Sequence, residues 1–547
     1  MRLKPLIGII VIILIYLSVA EPVPNSLQIN NKTTYYATEI MDQIEEGQDV
    51  FCDEAVIIGD LRLNGLNISS QKTSGNVARL VNSSINIINS EIKGDVDFGN
   101  TDFTGPLKLE GTIFSGQEVN FMKSLFNNYT SFSGSTFQCP VHFDGAKIDR
   151  DIYFTGSDWL EKASFENFSC DGYASFRDND FQKGLNFKYV NMTGPASFED
   201  SRLHGETSFS NSIFEEEVVF LGATFNDLVE ITGAKFNGSA IFSRTRFQEI
   251  ADFSNTQFGS NTTFFNAKFA NAAKFSQSEF DGRTDFRKCE FDGFADFSST
   301  GFFGSARFDE AQFNKAARFT NSNFTESVSF IEVYFEKEAY FEGARFGEIL
   351  NLTNITFSEL LLPWNAISEN IEYDNATKMA LINNYKNLNW RKDYENSYYD
   401  YRDKKRISEP YGSAKLADTL SWIYWGYGTN TYMPIIYIIL STFFFACIYY
   451  GLVQLGLAKV VKKSDKSSCV HCIWAKIEEQ DARGLSLKEA IIFSAKNLLT
   501  MERPDDFEIK HKHIGKIIWI ENAIFGFLAA IFVYYLLDVV RAYFKPL

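Results

Sequence analysis

Two short stretches hold residue types suited to handling ions. In "WIYWGYGTN", Gly426-Tyr427-Gly428 stand just ahead of a long apolar run, and glycine-flanked carbonyls can replace an ion's water shell. In "LLTMERPDDFEIKHKH", Glu502, Asp505 and Asp506 place three carboxylates between two apolar runs, where rings of acids in an oligomer would concentrate cations. A third stretch, "SSCVHCIWAK", offers Cys469, His471 and Cys472 as zinc donors, with His511 or His513 as a distant fourth. One C-x-x-C without a partner pair is thin ground for a metal, so free cytosolic thiols are the simpler reading and no cofactor is expected.

The elements around these residues belong in a membrane. Met433 to Leu457 carries no charge, and Ile517 to Val540 carries only Glu521 and Asp538; each is long enough to span about 30 Å of hydrocarbon as a helix. Arg2 and Lys4, the apolar run Leu6 to Leu17, and Val19-Ala20 before Glu21 read as a signal peptide, residues 1–20. An uncleaved anchor is the alternative, and either one exports the segment after it. Lys459, Lys462, Lys463 and Lys466 come after the first late apolar run, and Lys510, Lys512 and Lys516 precede the second, which puts the intervening loop in the cytoplasm. Twelve Asn-x-Ser/Thr sequons from Asn31 to Asn375 all precede the first of these two runs. They fit an exported glycoprotein, although a repeat containing Phe-Ser-Asn-Thr generates them too.

The chain has 547 residues, a net charge of −17 and 54 Phe. Its acidity argues against a nucleic-acid partner. The phenylalanines keep to a ruler: Phe242, Phe253, Phe264, Phe275 and onward to Phe341 recur every eleven residues, with Phe132 to Phe220 and Ile231 continuing the series backward. A second register, Phe247, Phe258, Phe269 through Phe357, is offset by five. A small residue stands two positions earlier, as in Ala251, Ala273 and Ala295 or Thr256, Ala267, Ser278 and Cys289. Positions i and i−2 share one side of a strand, so the pair points inward and the residues between face water. Gln277 and Arg283 are such outward positions, and Cys170 and Cys289 are inward, too far apart to bond.

This small-x-Phe unit resembles the pentapeptide-repeat family. The resemblance implies an all-β solenoid, a right-handed quadrilateral β-helix with about 22 residues per coil. Ile92 to Phe357 leaves room for roughly twelve coils and a rod near 60 Å long at about 4.8 Å per coil. Ile40, Met41 and Ile44 line one face of a helix stopped by Gly47 that caps the rod. Leu381, Tyr385, Leu388 and Lys392 fall at helical spacing beyond it. Trp422, Tyr424, Trp425 and Tyr427 then stand where an interfacial aromatic belt belongs.

The segment from Trp422 to Tyr543 resembles the two-transmembrane pore module of the potassium-channel superfamily. Leu487 to Thr500 matches its pore helix through Phe493-Ser494 and Leu499-Thr500, Gly515 its loop glycine, and Glu521 with Gly526 the start of its inner helix. The resemblance implies an ion path at Thr500 and a hinge at Gly526. Gly426 to Gly428 precede the first helix and cannot be the filter loop. After Thr500 the family's glycines are replaced by "MERPDDFE", so potassium selectivity is not expected, and any path would be lined by Glu502, Asp505 and Asp506. A cytoplasmic loop also reverses the family's orientation: either the module is inverted or it does not conduct.

The expected organisation is a signal peptide (1–20), an N-terminal cap with first coils (21–90), the β-helix (91–357), a helical linker and interfacial segment (358–431), and an α-helical membrane domain with two transmembrane helices and a pore-helix-like segment (432–547). No nucleophile–base set or phosphate loop points to an enzyme. The reading is an integral cell-membrane protein with an exported rod, an ion channel or channel-like ion transport protein. Its expected partners are membrane lipid, inorganic cations and further copies of itself in a homo-oligomer. The competing reading is a membrane-anchored surface scaffold that binds partners through the rod.

Overall fold

The computed structural model describes residues 32–73, 76–430, 432–462, 485–500, 507–510 and 513–543. The chain divides into two units, Met1–Asn384 and Tyr385–Leu547.

The first unit is a parallel β-solenoid. Four short strands make each coil, and each pairs with its equivalent in the next, as Ala251 with Ala273 and Phe258 with Phe280. One column holds 15 strands, from Val50–Asp53 to Ile371–Glu372, and a second holds 14. The remaining two columns merge into a 27-stranded sheet. The long strand Tyr334–Tyr340 joins them by pairing with both Gln312–Phe313 and Ala317–Arg318. The rod therefore runs past both ends of the Phe ruler. Its first coils are filled by Val50, Ile57, Leu61, Leu63, Ile85 and Ile87 and its last by Leu350, Leu352 and Leu360, all buried. Aliphatic side chains do the same filling there, so the aromatic spacing understates the coil number.

Both Phe registers point inward. Phe275 lies parallel to Phe297 at 4.9 Å and 1°, and edge-on to Phe264 at 5.3 Å and 86°. Each buried ring contributes about 2–3 kcal/mol, and each aromatic pair about 1 kcal/mol more. The small partners are inward as well: Ala251, Ala273, Thr256, Ala267, Ser278 and Cys289 are all buried. The hydroxyls among them form a second ladder. Thr256 Oγ1 donates to the Ile231 carbonyl at 2.9 Å, Thr300 Oγ1 to that of Phe275 at 2.7 Å and Ser322 Oγ to that of Phe297 at 2.6 Å. Cys289 Sγ takes the same place at 3.0 Å from the Phe264 oxygen. Cys170 and Cys289 are free and buried, and burial pushes the Cys170 thiol up to about 12.

The corners carry a ruler of their own. Asn255, Asn266, Gln277, Lys288, Ser299, Glu310 and Asn321 adopt φ between 56° and 61°, the left-handed region that asparagine tolerates and most side chains avoid. The outward residue of a strand often supports the corner with its side chain: Asp252 accepts from the Ser254 amide and Asp296 from the Ser298 amide, both at 3.0 Å.

Both rod ends are closed, as exposed strand edges require. Helix α1 (Ala37–Glu45) buries Ala37, Ile40, Met41 and Ile44. At the far end, helix α2 (Asn375–Asn387) buries Leu381 and Ile382. Asn384 satisfies both backbone groups of Leu360, accepting from its amide at 3.2 Å and donating to its carbonyl at 2.7 Å.

The second unit is helical. It contains α3 (Arg391–Ser408), α4 (Ser413–Trp425), α5 (Met433–Gln454), α6 (Leu487–Thr500) and α7 (Ile514–Tyr543). Strands Lys459–Lys462 and Phe507–Lys510 pair antiparallel. Among the described residues one helix, α5, is long and apolar enough to cross a membrane. The 30-residue α7 contains the second apolar run and retains Glu521.

Candidate functional site

The short helix α6 begins in a reciprocal cap. Glu489 accepts from the Ser486 amide at 2.9 Å while Ser486 Oγ accepts from the Glu489 amide at 3.2 Å, satisfying two otherwise orphan donors. Its apolar side joins one core with α5: Phe445, Ala446, Tyr449, Ala490 and Phe493 pack with Ala458, Val460, Leu485 and Ile509. Phe493 meets Tyr449 edge-on at 5.0 Å.

At the centre of this packing lies a carboxylate. Glu521 of α7 is 0 % exposed. Tyr449 Oη on α5 donates to its Oε2 at 2.5 Å, and Ser494 Oγ on α6 donates to its Oε1. One side chain therefore ties three helices together, with a hydroxyl on each oxygen. A carboxylate without such donors would cost several kcal/mol to bury. Gly526 lies about one helical turn beyond, half-buried, and Phe525 beside it approaches Phe445 at 6.3 Å.

Thr500 is the last residue of α6. Glu502, Asp505 and Asp506 lie outside the described residues, as do the signal segment, Cys469, His471, Cys472 and His511. His513 is exposed at the start of α7. Among the described residues no cluster of His, Cys, Asp and Glu has metal-binding geometry.

Gly426-Tyr427-Gly428 forms the reversed turn between α4 and α5, with φ of 56°, 60° and 91°. Its first carbonyl is used internally, accepting from Thr429 Oγ1 at 2.6 Å. Tyr427 is buried, and its hydroxyl accepts from Arg406 Nε at 3.0 Å and donates to Asp418 at 3.3 Å. Burial raises the Tyr427 phenol above its ordinary range, which keeps that proton in place. Arg402 pairs with Asp418 and lies over the Tyr427 ring at 5.0 Å. Arg406 lies over Trp422 at 4.3 Å, and Trp422 Nε1 donates to Tyr399 at 2.8 Å. Tyr424 stacks on Tyr437 and donates to the Leu528 carbonyl at 3.1 Å. The aromatic cluster expected as an interfacial belt thus spends most of its contacts joining helices. Residue spacing carries no sign of the Arg402–Asp418–Tyr427 group, because its members come from three separate elements.

Among the described residues, a shallow depression of about 200 Å³ on the rod is lined by Lys162, Glu166, Lys188, Glu206 and Glu230, charges of both signs. His142 and His204 look isolated in sequence but are not so in space. His142 stands 3.4 Å from Asp144 and 3.8 Å from Glu118, and His204 lies 3.1 Å from Asp180. These are rungs of polar ladders on the rod's surface.

Residues 87–136, 187–230, 222–268 and 275–323 match the family described as pentapeptide repeats. No curated protein and no solved structure matches the chain.

Proposed function

We propose that this chain, whose solenoid is a pentapeptide-repeat rod, is an ion channel or channel-like transport protein in which the helical unit forms a cation path between several copies. The rod is exported, α5 and α7 cross the cell membrane, and the loop between them is cytoplasmic. The observation that carries the reading is the Glu521 node, which fixes a short helix between two long ones through Tyr449 and Ser494. A helix used only as an anchor needs no buried carboxylate, and burying one in an apolar module is costly.

Two long helices per chain cannot enclose a pore, so conduction requires assembly. On this reading Glu502, Asp505 and Asp506, which follow α6 in the sequence, ring the shared axis. Such rings attract cations without supplying the carbonyl cage that potassium selection uses. Purified chain in planar bilayers, compared with E502Q/D505N/D506N, tests this. The triple variant should assemble normally and lose most cation current or cation-over-anion preference. Current with unchanged selectivity would remove these carboxylates from the path, and assembled wild-type protein without current would favour the anchored scaffold.

A further inference from the structure

One column of the solenoid differs from the other three. On most strands the outward positions are polar, and exposed apolar residues such as Leu160 and Phe303 are scattered singly. On the column running from Leu107–Lys108 to Leu350–Asn351, three successive coils instead present Val219 with Leu221, then Ile241, then Phe265, all half-buried. Tyr129, Tyr153 and Tyr173 form a surface ladder on the same side, with ring spacings of 5.5 and 6.1 Å. A contiguous apolar strip on an otherwise polar rod marks a contact surface.

The charges flanking the strip are arranged in a particular way. Two outward residues, separated by one inward residue, share each coil of this column. In two coils they are opposite charges, Lys108 with Glu110 and Asp285 with Arg287, while Arg307 is paired with Asp309, which is buried. Within one chain Arg287 reaches Asp285 at 2.6 Å and Arg307 reaches Asp309 at 2.7 Å. A two-fold axis parallel to the rod and running between the two positions maps each residue onto its partner's place. Asp285 then meets Arg287 of the second copy, Lys108 meets Glu110, and Val219 meets Leu221. Like charges do not face one another at these coils.

We infer that this column is the interface for a second copy of the chain, with the two rods side by side and parallel. Roughly twelve coils at about 4.8 Å, with a face about 10 Å wide, cover about 600 Å² per copy, near the lower end for specific complexes. Parallel rods keep the C-terminal ends of both solenoids together. Resting on the membrane reading, co-anchoring in one bilayer raises the effective concentration enough for a modest interface to hold. The parallel pair also makes a natural half of a larger pore assembly.

Two differently tagged full-length chains, one Val219→Cys and the other Leu221→Cys, are co-expressed in membranes and oxidised. The expected result is a disulfide-linked dimer carrying both tags, above the wild-type background. Adding Ile241→Asp to both chains should abolish it without changing the melting temperature, since Ile241 faces outward. Exchanging Asp285 and Arg287 on both copies should leave the cross-link intact. Cross-linking of Val219→Cys with Thr263→Cys instead would show antiparallel rods and overturn the proposal, as would the absence of any mixed dimer. The cross-link is read whether or not the protein conducts, so a failure of the channel reading leaves this result standing.

Discussion

The rod and the helical unit solve the same problem, holding a long chain in one arrangement, by opposite means. In the rod the same few interactions repeat: Phe stacks and left-handed corners recur coil after coil, and a hydroxyl on a carbonyl recurs in many of them. Among the described residues of the helical unit, long-range polar contacts gather in two specific groups, one on Glu521 and one on the Tyr427 turn. Repetition makes the rod tolerant of any one surface change while leaving it sensitive to a polar group inserted in its continuous aromatic core. The helical unit should fail at named single residues whose neighbours offer no substitute.

Phe275→Asp should destabilise the rod by more than about 4 kcal/mol, because it removes a stacked ring and buries a charge. Protease cleavage clustered within the neighbouring coils, rather than throughout the rod, is the expected pattern. Glu521→Ala should cost the helical unit about 2–4 kcal/mol, since it strands the Tyr449 and Ser494 hydroxyls. Glu521→Gln, which keeps one acceptor, should recover roughly half of that in detergent melts. Equal losses for Ala and Gln would mean that the carboxylate is not the tie between the three helices.

Smaller effects separate conformation from contact. Tyr427→Phe should cost about 1–2 kcal/mol by leaving Arg406 and Asp418 without the phenol between them. On the rod, Gln277 and Arg283 both face water, yet they should not behave alike. Gln277 sits at φ 61°, so Gln277→Ile should cost about 1–2 kcal/mol of backbone strain. Arg283→Ala should stay within about 0.5 kcal/mol. Matching thermal shifts for the two would show that the corner ruler carries no energetic weight.

The repeat was legible because one large side chain recurs at a fixed interval and no other packing position in the chain tolerates Phe so regularly. Its C-terminal end was not, because Leu360 and Leu362 fill the same interior beyond Phe357 without the aromatic mark. The corner ruler was present in the sequence as Asn or Gly at many eleventh residues, but Gln277, Lys288 and Glu310 interrupt it, and only backbone geometry shows that they conform. In the helical unit, resemblance picked out Ser494, Glu521 and Gly526. Tyr449 could not be read as their neighbour, because a contact between helices 72 residues apart leaves no periodic trace.

Topology is open to a direct check with native residues. Cys469 and Cys472 should react with a membrane-impermeant maleimide only after the membrane is opened, whereas a cysteine placed at exposed Gln257 on the rod should react from outside. The most direct test of cation conduction is the reversal potential of purified wild-type chain in a planar bilayer under a potassium chloride gradient. The expected result is a unitary current that reverses toward the cation equilibrium potential, as acidic rings require. A reversal toward the chloride potential, or a silent bilayer containing assembled protein, would contradict it.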